Sequence, residues 1–201
     1  LLAGHTRAWI SASSARVHDW IDGTGHTSND TIAGNGGNDI LDLGYYANSS
    51  GGSLADTTTN VAYGGDGNDL LVGGTGSDYL TGGTGSDTYR FSRGWGQDNI
   101  NNYDTGSDKT DAIVFAEGVA PADIQVTRSG NSLVLSLLGS TDRIMVNGYF
   151  DSDGDGAYKL EEIRFADGTF WGSEHIMHLV NSYNEDTDGS LDRIVLKDLN
   201  P

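Results

Sequence analysis

The sequence predicts an all-β protein: a parallel β-roll of nonapeptide repeats, followed by a small antiparallel β-rich capping domain with one short helix. Three observations carry this. Glycine recurs with a nine-residue period, each repeat carries an apolar residue at its eighth position, and after Thr110 the period yields to short apolar runs between turn signals.

The period is clearest in GGDGNDLLV from Gly64, GGTGSDYLT from Gly73 and GGTGSDTYR from Gly82, all of the form GGxGxDxUx with U apolar. GHTSNDTIA from Gly25 and GNGGNDILD from Gly34 keep aspartate sixth and an apolar residue eighth. ADTTTNVAY from Ala55 places Asn60 in the aspartate slot, and RGWGQDNIN from Arg93 follows a two-residue slip after Asp87. Glycine tolerates positive φ and close backbone approach, so GGxGxD curls tightly while the last three residues form a short strand. Two nonapeptides complete one coil. Parallel strands then stack into two sheets, with Ile32, Leu41, Leu71, Leu80, Tyr89 and Ile100 expected to point inward.

That core is thin. One apolar side chain per repeat, worth about 1.5–3 kcal/mol, does not offset about 1–2 kcal/mol of lost backbone freedom for every residue. Metal ions are the expected remainder, because each turn offers one carboxylate and several carbonyls left open by glycine, the hard oxygen ligands that suit calcium. Asp69 is expected opposite Asp87, Asn60 opposite Asp78, and Asp78 opposite Asp98, with about three to six calcium ions in the roll.

These repeats resemble the RTX, or haemolysin-type calcium-binding, repeats of proteins exported by type I secretion. The resemblance implies that carbonyls of repeat positions one and three join the Asp of one turn, and those of positions two and four the Asp of another, to complete each site. Carried onto the matching positions, the candidate metal ligands are Asp30, Gly34, Gly36, Gly37, Asp39, Asn60, Gly64, Gly65, Asp66, Gly67, Asp69, Gly73, Gly74, Thr75, Gly76, Asp78, Gly82, Gly83, Thr84, Gly85, Asp87, Gly94, Gly96 and Asp98. The resemblance also implies an extracellular, secreted protein that is unfolded in the calcium-poor cytoplasm and folds after export, its parent being a toxin or adhesin.

Composition agrees with a cation partner. Against 29 Asp and Glu stand 11 Lys and Arg, a formal net charge of -18 that repels nucleic acid and anionic membrane. Cysteine is absent, which removes disulfides, thiolate zinc sites and thiol catalysis. No apolar run is long enough to insert in a membrane. An acidic, glycine-rich flexible linker would share this composition, but not the strict nine-residue phase or the apolar eighth position.

The expected organisation is a lead-in over residues 1–22, the roll over 23–101 with an insertion at 43–54, and a capping domain over 102–182. Residues 183–201 read as the start of a second capping unit, since Tyr103 to Pro121 aligns with Tyr183 to Pro201, and the parent is expected to continue beyond Pro201. The insertion is expected to project as a loop, with Tyr45 and Tyr46 packing over a roll edge. In the second half AIVF, DIQVTR, SLVLSLL, DRIMV and EEIRF read as antiparallel strands. Ser129-Gly130-Asn131 and Gly139-Ser140-Thr141 read as hairpin turns, and GSEHIMHLV as a helix. This stretch resembles the RTX-associated domain, whose implied role is to cover the open end of the roll.

Within it, DSDGDGAYKLEE from Asp151 matches the spacing of an EF-hand loop, so Asp151, Asp153, Asp155 and Glu162 are candidate ligands for one further calcium ion. An acidic solvated loop is the competing reading. No HExxH, GxSxG or P-loop pattern occurs, and carboxylates committed to calcium are not free for proton transfer, so no catalytic residue is assigned and an enzyme is not expected. His175 and His178 lack a third metal ligand nearby, and Arg90, Arg93 and Trp95 read as charge balance and core cap.

The leading expectation is a monomeric, calcium-responsive structural module supporting export and rigidity. Two others stand beside it: the accessory C-terminal part of a secreted protease, lipase or epimerase, and an adhesin module binding a host or cell-surface glycan or protein.

Overall fold

The computed structural model describes residues 9–11, 20–22, 29–43, 45–47, 53–55, 58–154 and 156–187. Most of the lead-in, the tip of the insertion, Asp155 and residues 188–201 lie outside them. Two sheets face each other, and the chain alternates between them.

The first sheet runs in the order β1 (Trp9–Ser11), β3 (Thr31–Gly36), β7 (Val61–Asp66), β9 (Tyr79–Thr84), β11 (Gln97–Asn101), β15 (Arg143–Val146), β14 (Ser132–Leu137) and β13 (Ile124–Ser129). The second runs β17 (Phe170–Gly172), β16 (Glu162–Phe165), β12 (Ala112–Phe115), β10 (Thr88–Phe91), β8 (Leu70–Val72), β4 (Ile40–Asp42) and β2 (Trp20–Asp22). Pairing is parallel from β1 to β15 in the first sheet and from β2 to β16 in the second. This is the β-roll that the repeat phase predicts.

Register follows the repeat. Ile32, Ala62, Leu80 and Ile100 align across the first sheet, and Leu41, Leu71 and Tyr89 across the second. All seven, the eighth residues of their repeats, are at most 1% exposed.

The capping half corrects one expectation. AIVF, as β12, pairs parallel with β10 and β16, and DRIMV, within β15, pairs parallel with β11. The roll therefore continues past residue 101, because each of these strands arrives at the edge of a sheet already running in its direction. Among the described residues of this half, antiparallel pairing is confined to β13/β14/β15 and β16/β17. The two hairpin turns fall where expected, at Gly130-Asn131 and between Leu137 and Arg143. The helix, α1 (Ser173–Thr187), runs through the boundary drawn at residue 183.

The insertion forms its own hairpin, β5 (Tyr45–Ala47) against β6 (Ser53–Ala55), paired with neither main sheet. Leu43, placed at its start by sequence, instead belongs to the roll, where it is 1% exposed and its N–H donates to the Val72 carbonyl.

At the closing end the core changes character. Trp95 lies between Phe91 and Phe115, ring centroids 6.0 and 5.4 Å away, and Phe115 stacks on Phe165 at 5.3 Å. Trp171 meets Phe165 edge-on at 4.7 Å, while Ile176 and Val180 of α1 are buried in the same cluster.

Candidate metal centre

The edges where one sheet turns into the other hold the sixth residues of the repeats in two ladders. Along one, the Asp30 N–H donates to Asn60 Oδ1, the Asn60 N–H to Asp78 Oδ1, and the Asp78 N–H to Asp98 Oδ1, each at 2.8 Å. Along the other, the N–H groups of Asp39, Asp69 and Asp87 donate to Oδ1 of Asp69, Asp87 and Asp111 at 2.7, 2.9 and 2.8 Å. Asp111 extends this ladder, its N–H donating to Glu161 Oε2 at 2.8 Å. The three pairs expected from the repeat phase are stacked neighbours. The ladders also bridge the insertion, joining Asp30 to Asn60 and Asp39 to Asp69.

Each of Asp30, Asp39, Asn60, Asp69, Asp78, Asp87 and Asp98 is at most 2% exposed. In Asp69 and Asp98 the second carboxylate oxygen, Oδ2, is buried with no hydrogen-bond partner. A buried carboxylate so placed demands either a proton or a cation, since desolvating an uncompensated charge costs several kcal/mol or more. Burial pushes Asp69 up to about 6, Asp87 to about 7 and Asp98 to about 8; the N–H of the preceding rung opposes the rise, and the like charges of Asp39, Asp69 and Asp78 respectively add to it.

The second oxygens lie over glycine. A Cβ on Gly64 would fall 2.3 Å from Asp69 Oδ2 and 2.4 Å from the Gly82 carbonyl oxygen; one on Gly34 would fall 2.2 Å from Asp39 Oδ2 and 2.6 Å from the Gly64 carbonyl oxygen. Oxygens of successive turns thus crowd a space that only glycine leaves open. Position-three carbonyls tie the same turns together: Asp66 accepts from the Gly37 N–H at 2.7 Å, and Thr84 from the Gly67 N–H at 2.8 Å. Among the described residues no three His, Cys, Asp or Glu converge as a metal cluster. A cation here would draw on carbonyls as much as carboxylates, an all-oxygen set of the kind calcium takes. Gly36, Gly65, Gly73, Gly74, Thr75, Gly76, Gly83 and Gly85 lie in or beside the same stacked turns.

Gly94 and Gly96 are also bonded through their amides. Their N–H groups donate to Asp142 Oδ2 and Oδ1 at 2.7 and 3.3 Å, and the Gly96 carbonyl accepts from the Arg143 N–H. Gly96 keeps Gly76 of the preceding turn as its neighbour, a Cβ on it falling 1.7 Å from the Gly76 carbonyl oxygen, while Asp142 reaches these amides from the turn that leads into β15.

Of the EF-hand-like loop, Asp155 and the side chain of Asp153 lie outside the described residues. Residues 151–154 form a 3₁₀ turn, Asp151 Oδ1 accepts from Asn131 Nδ2 at 2.6 Å, and Glu162, in β16, pairs with Arg164 two residues along the same face. Glu161, its neighbour, is the residue that joins a ladder.

Sequence reasoning missed Asn102, Asp104, Lys109, Asp111, Asp142 and Glu161. A signal existed: GSDKTDAIV from Gly106 and GAYKLEEIR from Gly156 keep glycine first, an acid sixth and isoleucine eighth. Ile113 and Ile163 align across β12 and β16 as the earlier eighth residues do. Both copies lack the glycines at positions two and four that made the others visible.

Comparison with known proteins falls on the same stretches. The family model described as the RTX calcium-binding nonapeptide repeat (4 copies) matches residues 18–44, 54–89 and 63–100, and that of the haemolysin-type calcium binding protein related domain matches 133–175. The chain is similar to the iron-regulated protein FrpA of Neisseria meningitidis serogroup C, 40% identical over 103 residues. Those residues are 51% of this chain but 9% of that protein, so the chain spans a small part of its curated relative.

Proposed function

We propose that the chain is a structural module of a secreted RTX calcium-binding nonapeptide-repeat protein, and that its repeat half folds on binding extracellular calcium. The single observation supporting this most is the pair of carboxylate ladders, buried in register along both edges with oxygens that have no protein donor at Asp69 and Asp98.

Calcium, when bound, supplies the positive charge that these buried oxygens lack. The chain's own residues do the rest. Glycines bring carbonyls of successive turns within reach, and the eighth residues hold the strands in register. Where calcium is scarce the like charges face each other unscreened, and the repeat half opens; outside the cell it closes. A chain kept open until it has left the cytoplasm suits export, here by type I secretion, and a closed roll gives a rigid segment to a larger adhesin or toxin. Affinity in the range of about 10⁻⁴–10⁻³ M would suit an extracellular module. The module carries no catalytic centre of its own on this reading.

The test is circular dichroism of the full chain with and without chelator. Strand signal should fall when calcium is removed and return when it is restored. A spectrum indifferent to calcium would end this proposal.

A further inference from the structure

One ladder ends differently from the way it runs. In the turn from Gly106 to Asp111 the residue at position four is Lys109, where the copies from Gly34, Gly64, Gly73 and Gly82 have Gly37, Gly67, Gly76 and Gly85. The Lys109 ammonium donates to Asp111 Oδ2 at 2.5 Å and to the Lys159 carbonyl at 2.9 Å, and lies 3.6 Å from Glu161 Oε2. Asn102 Nδ2 donates to the same two oxygens, at 2.7 Å to Asp111 and 2.6 Å to the Lys159 carbonyl. The Lys109 and Asp111 side chains are 6% and 1% exposed, so this is an interior pair.

The oxygens gathered here are a position-six carboxylate, a position-four carbonyl and the next position-six carboxylate, contributed by successive turns. At the earlier rung Asp69 the corresponding second oxygen, Oδ2, is buried with no hydrogen-bond partner. At Asp111 it has two. We propose that the Lys109 ammonium, assisted by Asn102, takes the place of a calcium ion in the gap between the 106–111 and 156–161 turns, so that this calcium ladder terminates in a cation carried by the chain itself.

The chemistry of the substitution is direct. An ammonium is a compact cation with three donors, and here it donates to two oxygens and stands within ion-pair distance of a third. It carries one charge where calcium carries two, and the gap holds correspondingly fewer free carboxylate oxygens, because Asp111 Oδ1 and Glu161 Oε2 already accept ladder N–H groups. Asn102 is itself held by the Tyr89 hydroxyl, which donates to its Oδ1 at 2.8 Å, so the closing group is fastened to the core. The last turn of this edge is therefore complete at any calcium concentration.

This inference rests on calcium binding by the repeats, and the experiment separates the two. Bound calcium per chain is counted by equilibrium dialysis and atomic emission for the wild-type full chain, Glu161→Gln and Lys109→Gly. The expected result is an unchanged count in Glu161→Gln and one additional ion in Lys109→Gly. Loss of an ion in Glu161→Gln, or no gain in a folded Lys109→Gly, overturns the inference while leaving the proposed function intact. If Lys109→Gly does not fold, Glu161→Gln alone decides. A wild-type chain that binds no calcium overturns both.

Discussion

The two halves of this molecule solve one problem by opposite means. From Asp30 to Asp87 the strands are short, the core is one side chain deep, and seven buried Asp or Asn side chains line the edges once Asp98 is included. From Phe91 to Val180 the same two sheets continue, but an aromatic cluster fills the space between them, and the ladder oxygens meet Lys109, Asn102 and backbone amides. On the proposed function, one backbone plan is held by ions in one half and by apolar packing in the other, and the roll needs calcium only where its core is too thin to fold alone.

Four perturbations test that contrast, from the largest expected effect down. Replacing Asp69 and Asp87 together by alanine removes two adjacent rungs. Each hydrogen bond to a charged group contributes about 1.5–3 kcal/mol, so the calcium midpoint followed by circular dichroism should rise by about tenfold or more. Asp108→Ala, at an exposed position, should leave it unmoved. If both variants behave alike, the ladder is not the binding element.

Phe115→Ala attacks the other half. It empties the centre of the aromatic cluster and should cost about 3–5 kcal/mol in thermal or denaturant unfolding, with a comparable loss in calcium and in chelator. A loss seen only in calcium would place Phe115 in the ion-held half.

Gly67→Ala and Gly130→Ala separate close approach from backbone strain. Both glycines have positive φ, +137° and +59°, but a Cβ on Gly67 would fall 1.7 Å from the Gly37 carbonyl oxygen, whereas one on Gly130 meets nothing within 4 Å. Gly130→Ala should cost only about 1–2 kcal/mol for the left-handed conformation. Gly67→Ala should in addition raise the calcium midpoint, because the stacked turns must part.

The smallest effect is that of pH. Burial raises Asp69, Asp87 and Asp98 from 3.8 to about 6, 7 and 8. In chelator their protonation favours the folded form: the contribution is full below the unfolded value of 3.8 and is lost as pH rises through about 6 to 8. Metal-free protein should therefore show more strand signal at about pH 5 than at about pH 8. With calcium present the sign reverses for affinity, because protons and calcium compete for the same oxygens, and the calcium midpoint should rise as pH falls across that window.

The repeat half was legible in the sequence almost residue by residue. A strict period ties each position to one structural role, so Ile32 and Leu71 could be placed in the core, and Asp69 opposite Asp87, before any coordinates. The closing half was legible only in pieces. Its hairpin turn at Gly130 and its helix carry local signals, but the direction of β12 and β16 is set by which sheet edge they meet, which a strand-like run does not encode. Lys109 and Glu161 were hidden because their repeats carry other residues at positions two and four, where the visible copies have glycine. Glu161, the acid that joins the ladder, stands one residue before Glu162, the twelfth position of the EF-hand spacing.

Amide hydrogen exchange of the full chain, compared in calcium and in chelator, addresses the contrast most directly. The account predicts that removing calcium abolishes protection in β7, β8 and β9 while β14, β15 and β16 retain theirs. Equal loss of protection in both regions, or none in either, would contradict it.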